Sequence, residues 1–168
     1  RFEAVLGGGT PIVRAMPNTP AAIGRGITAM IGNDLAQPAH LDMAESLLEA
    51  IGQVVRLDSE DQIDAVTGVS GSGPAYVFHL IEAMAEAGES LGLPADLALQ
   101  LATATVDGAG ALAAQSDEHP GTLRENVTSP GGTTAAALSV LMNDDDGFRP
   151  LLRKAMKKAA YRGRELGQ

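Results

Sequence analysis

The chain has 168 residues, 45% hydrophobic but only 3% aromatic, with 20 glycines; a packed core is within reach, and its elements must meet through small side chains. A formal charge of −9, from 12 basic against 21 acidic residues, is the wrong sign for a surface that tracks phosphates, so nucleic acid is a poor partner. The absence of cysteine excludes disulfides, thiolate metal sites and cysteine nucleophiles, and it suits a cytoplasmic setting.

The first residue is Arg1 rather than methionine, which points to a fragment or a processed product. Residues 1–60 read as short strands and one helix. Gly7–Gly9 makes a plain loop, and Pro11–Met16 and Gly26–Gly32 make apolar strands around a Pro-bracketed turn, MPNTP. Pro38–Gly52 carries Leu41, Leu47, Leu48 and Ile51 at helical spacing, with proline at its start and glycine at its end. Gln53–Leu57 reads as a third strand. Strand, helix, strand is the order of an α/β sheet, here too small to stand alone and open at an edge.

Beyond Asp58–Asp64 the pattern predicts long helices. One runs from Pro74 to about Leu91, stopped by Gly92; the next spans Pro94–Gln115, with Asp96 where the helix dipole favours an acid. Gly108 and Gly110 inside that helix each cost about 1 kcal/mol against alanine, a cost that close approach of another helix would offset. A short helix through Gly121–Val127 and an amphipathic one over Phe148–Leu166 complete the chain. Apolar residues on several faces of these helices call for another layer, most simply a second copy of the chain. No apolar run reaches the roughly 20 residues of a membrane helix, and no membrane association is expected. Seven of the 12 basic residues fall in the last 20 positions, either a solvated face balancing an acidic body or a docking strip for an acidic partner.

The three histidines, His40, His79 and His119, match no metal-ligand spacing, and no metal is expected. His79, inside an apolar helix, reads as a core or pocket-wall residue. Neither GxGxxG nor a P-loop occurs. Two Gly/Ser-rich turns remain, Thr67–Tyr76 and the stretch TSPGGTTAAAL, each in front of a helix. A helix mouth presents N–H groups without internal partners and a positive dipole end, and glycines let a carboxylate or phosphate approach them. Equally, the serines and threonines could cap their own helices.

The blocks VRAMPNTP, DAVTGVSGSGPAY, GLP and EHPGTLRENVTSPGGTT, in this order through nearly the whole chain, resemble the pyrroline-5-carboxylate reductases. The resemblance implies a mainly α fold. Residues 1–60 would be the last strands and one helix of a truncated NAD(P)-binding Rossmann domain. Residues 61–168 would form an all-helical substrate-binding and dimerisation domain, like the carboxy-terminal domain of 6-phosphogluconate dehydrogenase. It implies reduction of 1-pyrroline-5-carboxylate to L-proline, with NADPH or NADH held mainly by an absent amino-terminal half. It also implies a homodimer with interlocked helices, leaving higher assembly open.

By the same resemblance, the substrate carboxylate would lie against Gly131, Gly132, Thr133 and Thr134 with help from Ser129, and the Thr134 hydroxyl, the catalytic candidate, would reach the ring nitrogen. Val127 would line the pocket, Asp117 stands where a relative can carry glutamate, and Thr67 would border the substrate. Asn18 and Thr19 would lie near the nicotinamide. No side chain stands out as a general acid. Two other readings remain: a dimerisation module without catalysis of its own, or a related dehydrogenase acting on another imine or hydroxy acid. The last would want a charged catalytic residue in the helical domain, and the three lysines, all at positions 154–158, do not suit it.

Overall fold

In a computed structural model that describes residues 2–167, the chain packs as two units. One comprises the residues up to Pro74 together with those from Ala155 onward; the other is Ala75–Lys154.

The first unit is built on a three-stranded sheet in the order β1 (Val13–Met16), β2 (Gly26–Gly32), β3 (Gly52–Arg56). β1 is antiparallel to β2, with Val13 opposite Gly32; β3 is parallel to β2, with Gly26 opposite Gly52. At Gly52 the φ of 143° and the approach of the Gly26 carbonyl, 2.0 Å from where a β-carbon would stand, leave room for glycine alone. The central strand β2 is buried through Thr28, Ala29 and Met30, and Ile63, outside the sheet, is buried as well.

Helix α1 (Phe2–Leu6) was not foreseen from the sequence. Helix α2 (Pro38–Leu48) matches the expected periodicity; a capping box between Gln37 and His40 opens it, and a 3-10 turn over Glu49–Ile51 continues it. Arg56 at the end of β3 pairs with Asp42 and Glu45 of α2, and these hydrogen bonds raise its already high pKa further. The MPNTP turn is a 3-10 helix over Thr19–Ile23.

The first Gly/Ser-rich turn departs from expectation. α3 (Gln62–Val66) passes into a π-helical turn, Thr67–Gly71, and then into α4 (Gly73–Ser90). The Ser72 N–H donates to the Thr67 carbonyl at 2.8 Å. The segment is therefore a nearly continuous helical run rather than a loop with open N–H groups, because i→i+5 bonding satisfies them locally.

In the second unit, α4 packs against α5 (Ala95–Gln115) through Ala85, Ala98 and Ala102, with Ile81 beside them. At Gly88 a β-carbon would stand 3.2 Å from that of Ala98, so the two helices meet through small residues. α6 (Pro120–Asn126), α7 (Thr133–Leu141) and the first turns of α8 (Phe148–Gly167) follow. One expectation needs correction here. His79 is 82% exposed and bonds Glu82 one turn along, because it lies on a side of α4 that nothing in this chain covers. Among the described residues nothing lies within 4 Å of a β-carbon added at Gly108 or Gly110, so no helix of this chain makes the close approach expected there. By length and composition α5 is apolar enough to cross a membrane, with an 18-residue window of mean hydropathy 1.3. That hydropathy comes from alanines and leucines that continue on both sides of an acid, Asp107.

Candidate functional site

The stretch between α6 and α7 is shaped by its own backbone. His119 caps α6 by accepting from the Gly121 N–H at 3.0 Å, and the helix ends at Val127, which is exposed. Thr128 turns back onto α6, its hydroxyl donating to the Arg124 carbonyl at 2.6 Å. Ser129 and Gly132 close a tight turn, Gly132 N–H to Ser129 carbonyl at 3.1 Å, with Gly131 between them at φ 70°. A β-carbon on Gly132 would fall 2.4 Å from the Ser129 hydroxyl oxygen. The missing side chain is thus what lets the serine hydroxyl fold over the start of α7.

Gly132 is the N-cap of α7, in extended conformation, and among the described residues no side chain caps the helix. Capping by its own serine and threonines, one of the two readings open from the sequence, is not what these residues do. The N–H groups of Thr133, Thr134 and Ala135 therefore end the helix without intrahelical partners, at the positive end of its dipole. Thr134 is half-buried and Thr133 exposed. Such a mouth can hold a carboxylate with several N–H donors at once, and the Ser129 hydroxyl lies over its Gly132 edge.

Asp117 is exposed on the loop before α6. The bond that ties this loop to the other end of α6 comes from its neighbour, Asn126 Nδ2 donating to Glu118 Oε2 at 3.1 Å. Val127, Ser129 and Gly131–Thr134 thus share one loop and helix start, while Thr67, Asn18 and Thr19 belong to the other packing unit. There the Asn18 side-chain Oδ1 accepts the Ile27 N–H at 2.9 Å, pinning the MPNTP segment to β2. Thr19, exposed, begins the 3-10 helix. Gly71 of the π turn lies against the end of β1, since a β-carbon there would stand 2.8 Å from Met16 Cε; the Thr67 turn and the Asn18 segment are near neighbours.

Sequence reasoning passed over a groove of about 390 Å³ in the second unit, lined by Arg124, Thr128, Ala135, Leu138 and Met142 among others. Its charged members are Arg124 and Glu125, paired at 2.9 Å, and Arg124 also reaches the Met142 sulfur at 3.1 Å. The signal was present, because Arg124 is the one basic residue between Arg56 and Arg149. A larger hollow of about 490 Å³ in the first unit is lined by Arg14, Asn33, Asp34 and Glu60 among others, and by no residue of the expected site.

The chain is thus mainly α, a three-stranded sheet followed by helices that meet through small residues, one of which opens on an uncapped mouth. The family model described as pyrroline-5-carboxylate reductase dimerisation matches residues 60–166. The chain belongs to the pyrroline-5-carboxylate reductase family. It is 47% identical to the pyrroline-5-carboxylate reductase of Synechocystis over 157 residues, covering 94% of this chain and 58% of that one. Its fold superposes on the enzyme from Coxiella burnetii with a TM-score of 0.93 at 42% identity, over 98% of this chain and 60% of that one. A Plasmodium falciparum pyrroline carboxylate reductase crystallised with NADP bound gives a TM-score of 0.88 at 29% identity, over 99% and 66%. The chain thus spans about three fifths of the length of the relatives it matches.

Proposed function

We propose that the full-length protein reduces 1-pyrroline-5-carboxylate to L-proline with NADPH or NADH, and that this chain supplies its substrate-binding and dimer-forming part. The observation that supports this most directly is the uncapped mouth of α7 behind Ser129-Pro130-Gly131-Gly132. In this reading the substrate carboxylate accepts from the N–H groups of Thr133 and Thr134, and Gly131 and Gly132 give it access. The Ser129 hydroxyl adds a donor, Thr134 orients the ring through its nitrogen, and Val127 and Asp117 border the pocket.

Thr67 borders the substrate from its π turn, and Asn18 and Thr19 lie towards the nicotinamide. With its side-chain Oδ1 on Ile27, Asn18 has its amide N–H₂ to offer a carboxamide oxygen. The nicotinamide, when bound, supplies hydride to a C=N carbon; what these residues contribute is proximity and fixed dipoles.

In domain terms, residues 1–60 are the remnant of the nucleotide-binding domain and residues 61–168 the substrate and dimer part, in a cytoplasmic setting. Arg1 and Gln168, the ends of those ranges, lie outside the described residues. A homodimer is supported by the uncovered apolar residues of α4 and α5, among them Phe78, Leu99, Leu101 and Leu112.

For the chain taken alone, its coverage of 58% of a relative favours a second reading, a dimerisation module that is catalytically silent. The test is oxidation of NADPH by the full-length protein with 1-pyrroline-5-carboxylate, beside calorimetry of NADPH on the 168-residue chain. Turnover by the former and no micromolar binding by the latter are expected. Absence of turnover sinks the first reading, and micromolar binding shows that the chain holds the nucleotide unaided.

A further inference from the structure

Thr67 opens the π turn, a kind of turn frequent at functional sites. Its hydroxyl donates to the Ile63 carbonyl at 2.8 Å. With that proton committed, the hydroxyl can only accept from a ligand, so it suits an N–H group and opposes a carboxylate oxygen. Its methyl is enclosed by two glycines: a β-carbon at Gly163 of α8 would stand 3.5 Å from Thr67 Cγ2, and one at Gly71 3.7 Å. Nearby, a β-carbon at Gly68 would stand 2.9 Å from the Met156 carbonyl oxygen, so the α8 backbone rests directly on the turn. Arg164 Nε donates to Asp64 Oδ2 at 3.1 Å, closing the contact on the far side. All of these residues belong to one packing unit.

We infer that the carboxy-terminal half of α8 is a brace that holds Thr67 in one rotamer, as an acceptor for a ligand N–H, and that Gly163 is the positioning residue of that brace. The inference rests on the assignment of Thr67 to the substrate. An alanine at 163 fits at ordinary contact distance. Branches beyond its β-carbon meet the Thr67 methyl and turn the hydroxyl off Ile63, or lift the turn from α8.

The test uses full-length variants, with kcat and KM measured separately. Thr67→Ala lowers kcat/KM. Gly163→Val lowers it about tenfold, the scale expected of a small misplacement in a site, and Thr67→Ser, which has no Cγ2 methyl, restores most of the loss in the Gly163→Val background. Wild-type kinetics in Gly163→Val beside an impaired Thr67→Ala overturn the brace and leave Thr67 in the site. An equal loss with and without Thr67→Ser also overturns it. Unchanged kcat/KM in Thr67→Ala removes the substrate assignment, and the brace with it. Should Gly163→Val fail to fold, Gly163→Ala carries the test by NMR: a shifted Thr67 γ-methyl resonance supports the contact, and an unshifted one overturns it.

Discussion

At Gly131 the backbone takes a left-handed φ of 70°, and one residue later Gly132 leaves space for the Ser129 hydroxyl. The two glycines therefore have different tasks. Gly131→Ala forces a β-carbon into a conformation that costs about 1 kcal/mol or more; urea unfolding should show a lower midpoint with an unchanged slope. In the proposed function Thr134 belongs to the chemistry rather than to the turn. In the full-length protein Thr134→Val should lower kcat/KM about tenfold, the worth of one hydrogen bond to a polar partner, while sedimentation shows the same assembly as wild type. Unchanged kcat/KM would remove Thr134 from the site. This loop was legible in the sequence because proline, glycine and the following apolar run are local signals. Thr67 was named as a site residue, but its surroundings were not legible. Its hydroxyl is fixed by Ile63 one turn back, and its methyl by Gly163, nearly a hundred residues further along, a contact that no short window contains.

Among the elements, the helices were the most legible. α2, α4, α5, α7 and α8 lie within a few residues of where periodicity, proline and glycine put them, the ordinary margin for helix ends. The π turn was not legible, because a run of Gly and Ser reads as a loop while its N–H groups are satisfied inside a helix. The glycines of α5 are the more instructive case. Close approach was expected at Gly108 and Gly110, yet the helix meets α4 elsewhere, at Ala98 and Ala102. Two glycines that cost helix stability and touch nothing in their own chain are best explained by a partner helix. Gly108→Leu should therefore raise intrinsic helix propensity but weaken self-association, read as a shift from dimer to monomer in sedimentation velocity. A dimer as tight as wild type would take Gly108 out of the interface.

For the molecule as a whole, the division into units carries its own lesson. Sequence pattern put a boundary near Asp58–Asp64, where strands give way to helices. Packing groups the residues up to Pro74 with the end of α8, and Ala75–Lys154 by themselves. Periodicity reports local structure, whereas packing depends on which distant segments meet. The second unit buries three alanines and part of one isoleucine at its centre, and each such methyl contributes only about 0.8 kcal/mol. That sparse centre has a consequence in solution. If association supplies the missing burial, folding and self-assembly of this unit are one equilibrium, and its heat resistance is set by mass action rather than by its own interior. The melting temperature of the chain should then climb steadily with protein concentration across a dilution series in scanning calorimetry; a midpoint indifferent to dilution would mean that the alanine seam holds unaided.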